Sequence, residues 1–339
     1  MIFVIFSLIA TVSSSVFTIN LITINPTADS IIKHQGSYDK SLSKTKSFPY
    51  PTLAFVTPWN NHGYDIAKQV KKFTLVSPVW FNIKPDYTIQ GQHDVDIAWI
   101  KDVKQGGAKI VPRFQLDQFR NDDFMNLIKS HQDQDILANE IYNIVDANEF
   151  DGIVLEVHLP KYLIDLIKKV ALKLRKNKKI IVLVIGPVRD EKNDFTRIDF
   201  NILESSVDYF ALMTYDYSSP SSPGPNSPFN WVEKSITQLT NSHFNKLLVG
   251  LNFYGNDFGD QGGAIVGKQF IELLKHHEPE LIWDDDNGEH YFEYGQGGNM
   301  VYYPTLYSIQ QRLEMMTEKG CGLMIWEIGQ GLDYFYDLL

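Results

Sequence analysis

The chain has 339 residues, 44% of them hydrophobic and 21% charged, enough apolar material for one large or two ordinary globular domains and too much for a disordered chain. Acidic residues outnumber basic ones 41 to 31, and the formal net charge of -10 argues against nucleic acid and against an anionic membrane surface, since both demand basic patches. One cysteine, Cys321, rules out an internal disulfide and opens an apolar run that would bury it as an inert thiol.

The first stretch, MIFVIFSLIATVSSS, is an apolar run followed by small residues. It has the length of a signal-peptide core and is too short to span a bilayer. Residues 1–15 are therefore expected to be a signal peptide, with the protein secreted or lysosomal. No later segment approaches a membrane span. Residues 16–48 mix Ser, Thr, Lys and Asn without periodicity and read as a poorly ordered leader to a domain over 49–339.

From Leu53 onward short apolar runs alternate with amphipathic ones. The runs LAFVTPW (53–59), FTLVSPVWFNI (73–83), AKIVPRFQL (108–116) and DGIVLEVH (151–158) are followed by KIIVLVIGPV (179–188), VDYFALMTYDY (207–217), KLLVGLNFYG (246–255) and CGLMIWEIG (321–329). They are rich in β-branched and aromatic residues, and their near-continuous hydrophobicity predicts strands buried on both faces. Between them YDIAKQVKK, DVDIAWIKDVK, a stretch from Phe124 to Asp146 long enough for two helices, and YLIDLIKKVALKLRK predict helices. FTRIDFNIL, WVEKSITQL, GKQFIELLKHH and LYSIQQRLEMMTEK continue the series. Eight such strands alternating with helices predict a (β/α)8 TIM barrel. An open doubly wound sheet is the alternative, but it would prefer an early Gly-rich phosphate loop, and none is present. The long connection from Asn256 to Gly320 predicts a small insertion between strands 7 and 8, with a hairpin turn at Asp286-Asn287-Gly288.

Chemistry in such barrels sits at the C-terminal ends of the strands. Those ends carry Trp59, Trp80 with Phe81, Phe114 with Gln115, His158, Pro187, Tyr215 with Asp216, Asn252 with Tyr254, and Trp326 with Glu327. Aromatic rings pack on the C–H faces of sugars while Asp, Asn and Gln bond the hydroxyls, so the set predicts a saccharide cleft. On the fourth strand, alternation sends Ile153, Leu155 and Val157 toward helices and Gly152, Val154, Glu156 and His158 into the barrel. Glu156 is either a structural carboxylate satisfied by Tyr, Asn or backbone groups, or a functional one facing ligand. His276 and His277 are adjacent rather than at ligand spacing, so neither metal nor cofactor is expected.

The fourth-strand segment FDGIVLEVH, the sixth-strand FALMTYDY and the eighth-strand GLMIWEIGQG resemble glycoside hydrolase family 18, the chitinases, over roughly residues 50–339. That family carries Asp-x-x-Asp-x-Asp-x-Glu on strand four. Here the pattern is degenerate: Asp151, Val154, Glu156, and His158 where the catalytic Glu belongs. The resemblance implies Met213, Tyr215 and Asp216 beside the sugar, Trp326 beneath it, and a cis bond between Trp326 and Glu327. It also implies a substrate-assisted cleavage, in which the N-acetyl oxygen attacks the anomeric carbon while the strand-four acid protonates the leaving oxygen. A histidine there carries a positive charge when it has the proton to give, beside a transition state becoming positive itself. The expectation is a catalytically inactive chitinase-like lectin binding chito-oligosaccharide or lipopolysaccharide-type glycans, with His158 neutral and bonded to Glu156 or a tyrosine. An active glycosidase using a non-standard acid is the alternative. A further possibility is a protein-binding module with a vestigial cleft. The resemblance adds a stabilin-type sorting receptor as a partner.

Overall fold

The computed structural model describes residues 20–192, 194–259 and 262–339. The expected signal peptide lies outside them. Residues 20–48, read above as a poorly ordered leader, instead pack on the domain. Helix α1 (Ala28–His34) starts where the Thr27 hydroxyl accepts the Ser30 amide, with Asp29 in its first turn. Ile31 and Phe48 are buried, and the Asp39 and Ser47 amides donate to Asp337 and to the Leu339 carbonyl at 3.0 and 2.9 Å. Two anchors so far apart make no periodic pattern, and the helix that carries Ile31 packs against Gly267–His277 of the later insertion.

The barrel follows in order: β1 (Thr52–Val56), α2 (Asn61–Gln69), β2 (Leu75–Pro78), β3 (Phe81–Ile83), β4 (Ile89–Gln90), α3 (Ile97–Gln105), β5 (Lys109–Ile110) and β6 (Arg113–Leu116). Next come α4 (Asn121–Lys129), α5 (His131–Ala147), β7 (Gly152–Glu156), α6 (Ile164–Lys176), β8 (Ile180–Ile185), α7 (Arg197–Leu203), β9 (Tyr209–Leu212), α8 (Phe229–Leu239) and β10 (Leu247–Asn252). An insertion holds β11 (Gly255–Asp257), β12 (Gly263–Ile265), α9 (Gly267–His277), β13 (Ile282–Asp284), β14 (Glu289–Tyr294) and β15 (Asn299–Tyr302), and the chain closes with α10 (Leu306–Lys319) and β16 (Gly322–Trp326). The ring is complete: β16 pairs parallel with β1, β1 with β2, and β2 with β5, while β3 and β6, which continue β2 and β5, pair with each other and lead on to β7. The predicted (β/α)8 barrel is present.

Two apolar layers hold it. Ile153, Leu155 and Val157 join the layer between strands and helices, while Val154 meets Leu53, Phe55, Val182 and Leu248 in the lumen, as alternation requires. Each such fully buried side chain contributes about 2 kcal/mol. The insertion is an antiparallel sheet of order β12-β11-β15-β14-β13, and its β13–β14 hairpin turns at Asp286-Asn287-Gly288, where Gly288 takes φ +67°.

Alternation fails in one strand. Val79 faces the lumen, but Trp80 and Phe81, neighbours in sequence, both face the helices. The break between β2 and β3 acts as a bulge and moves everything after it to the other face. Trp80, expected at the mouth, is instead 1% exposed, donates to the Tyr64 hydroxyl at 2.7 Å and packs 5.8 Å from Trp99. Phe81 and Phe114 stack at 4.5 Å in the same outer layer.

The ends of β16 and β1 are locked by Glu327. Its carboxyl is fully buried, accepts Asn60 Nδ2 at 2.8 Å and the Thr57 amide at 3.4 Å, and lies so close to Gly63 that a Cβ there would overlap it. Burial raises this acid from 4.5 to about 7. Cys321 is buried as expected, with its thiol pushed up to about 12. Because the folded state holds the Glu327 proton up to pH about 7 and the unfolded chain only to about 4.5, stability from this group is full below 4.5 and lost as pH rises through that window. Relative to Glu327→Gln, the wild type should lose on the order of 3 kcal/mol between pH 4.5 and 8, a difference that urea unfolding at the two pH values would read. Parallel pH profiles for the two proteins would show that this carboxyl carries no such linkage.

Candidate saccharide site

The four positions of the strand-four pattern have separate fates. Asp151 precedes β7 at the bottom of the barrel; its Oδ2 accepts the Ile110 amide at 2.8 Å and Lys104 Nζ at 2.9 Å, a purely structural role. Val154 is fully buried in the lumen and brings no titratable group. Glu156, at the end of β7, is partly exposed, and its Oε2 accepts Arg113 Nη1 at 3.0 Å. His158 is exposed past the strand end, its ring 6.0 Å from that of Phe124. Among the described residues it bonds neither Glu156 nor a tyrosine, contrary to expectation; the partner of Glu156 is Arg113.

Arg113 is the site residue that the sequence reading passed over. It lies on β6, paired with Val154 in the register, and its guanidinium sits 5.9 Å from the Trp326 ring centroid. Its Nε is buried with no acceptor among the described residues. The signal was available: alternation from the lumen-facing Val111 sends Arg113 inward, a cation on an otherwise apolar barrel strand. An arginine so placed needs a counter-charge, and Glu156 on the next strand is within reach.

Around this pair stand the remaining residues. Trp326 is partly exposed at the end of β16, 5.2 Å from Phe55, and its bond to Glu327 is cis, as the resemblance implied. Tyr215 is buried, its phenol held well above the usual range by burial first and then by the Glu156 charge. Tyr254 packs edge-on to Tyr215, ring centroids 6.3 Å apart, and donates its hydroxyl to Asp216 Oδ1. Asp216 itself is exposed at φ +58°, its amide bonded to Asn226 Oδ1 at 2.7 Å. Met213 is partly exposed on the lumen side. Asn252 is buried and spends its Nδ2 on the Tyr254 carbonyl at 2.7 Å, so it shapes the backbone beneath the cleft. Trp59 stands 75% exposed on the loop after β1. Glu327, expected at the mouth, is turned away into the β1–β16 lock.

A cavity of about 280 Å³ opens beside the pair, with Gln115, Glu156, His158, Pro187 and Met213 in its wall. It offers apolar surface, a carboxylate already neutralised by an arginine, and an exposed imidazole. Toward Trp326 the arrangement continues with an aromatic platform and the Tyr254–Asp216 pair. That combination can hold a sugar face and its hydroxyls. No group of three or more His, Cys, Asp and Glu able to hold a metal occurs among the described residues.

The sequence profile of Glycosyl hydrolases family 18 matches residues 52–331, which contain this barrel and site. Among solved structures, a chitinase from Chromobacterium violaceum ATCC 12472 is 17% identical with a TM-score of 0.75, covering 85% of this chain and 98% of its own. A class V chitinase from Pseudomonas fluorescens Pf-5 is 17% identical at a TM-score of 0.76, with the same coverage of 85% and 98%. The spore cortex-lytic enzyme SleL from Bacillus megaterium QM B1551 is 17% identical at 0.74, over 85% of this chain and 72% of that one. At such identities the likeness is one of fold. The chain belongs to glycosyl hydrolase family 18 and carries a chitinase-like barrel with the potential to bind carbohydrate.

Proposed function

We propose that this protein is a chitinase-like lectin that binds an amino-sugar oligosaccharide at the mouth of its barrel without cleaving it. The observation that carries this reading is the Arg113–Glu156 pair at 3.0 Å beside an exposed His158. Substrate-assisted cleavage needs one carboxylate free to orient the acetamido group and a neutral acid to protonate the leaving oxygen. Glu156 is held by a guanidinium, and a protonated imidazole at 158 would add positive charge where positive charge is developing. Losing a general acid alone lowers a rate by about 10² to 10⁴. The binding half of the site is better preserved: Met213 lines the cavity, Trp326 lies against Arg113, and Tyr215 packs on Tyr254, which bonds Asp216.

The strings FDGIVLEVH, LMTYDYSSPSSPGPNSPFNWV and IWEIGQGLDYFYDLL support a closer placement, beside chitinase domain-containing protein 1, the stabilin-interacting chitinase-like protein. With that placement go delivery to the exterior or the lysosome, and a stabilin-type receptor as partner. The alternative, a glycosidase with a non-standard acid, draws on the chitinase and lytic-enzyme names of its structural neighbours.

Titration calorimetry with N-acetylglucosamine tetramer and pentamer should give binding that weakens about tenfold or more in Trp326→Ala, since the ring supplies the stacking face. The same oligomers incubated with wild-type protein should stay intact; brisk cleavage that His158→Gln abolishes would overturn the lectin reading. Removing one member of the ion pair leaves the other charge without its partner in a partly enclosed site. Arg113→Met should therefore cost about 1 to 3 kcal/mol in chemical denaturation, and Arg113→Met/Glu156→Gln should recover much of it. Additive losses in the double variant would show that the two side chains are not coupled.

A further inference from the structure

The loop from Ser218 to Pro228 after the sixth barrel strand carries Pro220, Pro223, Pro225 and Pro228, and it has no helix or sheet ladder of its own beyond one Ser219–Ser222 bridge. Asn226 and Ser227 are nonetheless 1% exposed. What buries them comes from the insertion. Glu289, at the start of β14, accepts the Asn226 amide at 2.9 Å and the Ser227 amide at 2.6 Å, one on each carboxylate oxygen. Arg312 of α10 lies against Glu289 Oε1 at 3.4 Å, donates to the Gly288 carbonyl at 2.8 Å and bonds the Ser227 carbonyl. The Ser227 hydroxyl donates to the Thr214 carbonyl at 2.6 Å, tying the loop back to its own strand.

Both charged groups are buried, 7% and 3% exposed. A buried pair contributes little net stability against a hydrophobic replacement, so its presence calls for another role. The hydrogen bonds show one. Asn226 Oδ1 accepts the Asp216 amide at 2.7 Å, and the Asn226 carbonyl accepts the Tyr217 amide at 3.0 Å. These bonds hold Asp216 at φ +58°, a backbone region that a non-glycine residue occupies only when its surroundings hold it there. In that conformation its carboxylate receives the Tyr254 hydroxyl. The Asn226 Nδ2 is buried without a full hydrogen bond and lies toward the same phenol.

We propose that Asn226, clamped by Glu289 and Arg312 of the insertion and α10, is a positioning residue that presents the Asp216–Tyr254 pair to the ligand. The insertion would then pre-organise the cleft from behind, through two backbone amides, without touching the sugar. The proposal rests on the saccharide-binding reading for its ligand and on the hydrogen bonds above for its geometry, and the test separates the two.

Amide hydrogen exchange on the full chain reads the geometry with no ligand present. Asn226→Ala and Glu289→Gln should each speed exchange at Asp216 and Tyr217 by about tenfold or more while the β8 amides of Val182 and Leu183 stay protected. Asn226→Asp, which keeps an acceptor oxygen, should restore protection; a merely structural contribution would not be rescued so selectively. Glu289→Gln is nearly isosteric and carries the test should Asn226→Ala not fold. With N-acetylglucosamine tetramer as probe, the two variants should lose about tenfold in affinity and Asn226→Asp should regain it. Unchanged protection at Asp216 in Glu289→Gln overturns the positioning role, as does lost protection with wild-type affinity. Absence of binding by the wild type overturns the saccharide reading, and the exchange data then judge the positioning by themselves.

Discussion

Everything at the mouth of this barrel is arranged around one charge pair, Arg113 on β6 and Glu156 on β7. Arg113 is opposite Val154 in the register, and Glu156 is two residues further along β7 on the same lumen-facing side; the low-dielectric lumen beneath them, lined by Val154, Val182 and Leu53, makes an isolated charge costly. Each side chain is the reason the other can be there. The pair then sets the rest: the guanidinium lies over Trp326, Tyr215 is buried beside the carboxylate and resists ionisation, and His158, with no carboxylate to bond, stands out toward solvent.

Preorganisation is distributed between two distant parts of the chain. The eighth strand is anchored by Glu327, which reaches across to the Thr57–Asn60 segment and so supports Trp326 from the side away from the cleft. The sixth-strand end is anchored by Glu289 and Arg312 through Asn226. Both devices are buried acids with their protons favoured by burial. Both spend hydrogen bonds on backbone amides, which fixes loops that would otherwise be free to move.

Much of the fold was legible because its strands are short, apolar and evenly separated by amphipathic helices. GKQFIELLKHH and LYSIQQRLEMMTEK match α9 and α10 end for end. Trp80 was misplaced because it was assigned by its place near the strand end alone; alternation from the lumen-facing Val79 sends it to the helices, while the bulge that follows, which no sequence pattern marks, sends Phe81 there too. The strap at 20–48 was missed because Ile31 and Phe48 are anchors too isolated to form a stripe. Arg113 was overlooked although the same alternation that sorted Val154 from Leu155 applies to its strand.

By itself the sequence determined the alternating plan, the barrel, the degenerate strand-four pattern and the aromatic inventory of the cleft, since all of these follow from periodicity and residue type along one stretch of chain. Only the tertiary structure decided who pairs with whom. That Arg113 meets Glu156, that Glu327 turns from the cleft to Asn60, and that Glu289 governs Asp216 through Asn226 are contacts between residues 43, 267 and 63 positions apart and beyond. Hydrogen bonds and ion pairs act over a few ångströms in space, and which residues come that close is fixed by how the strands close into a ring.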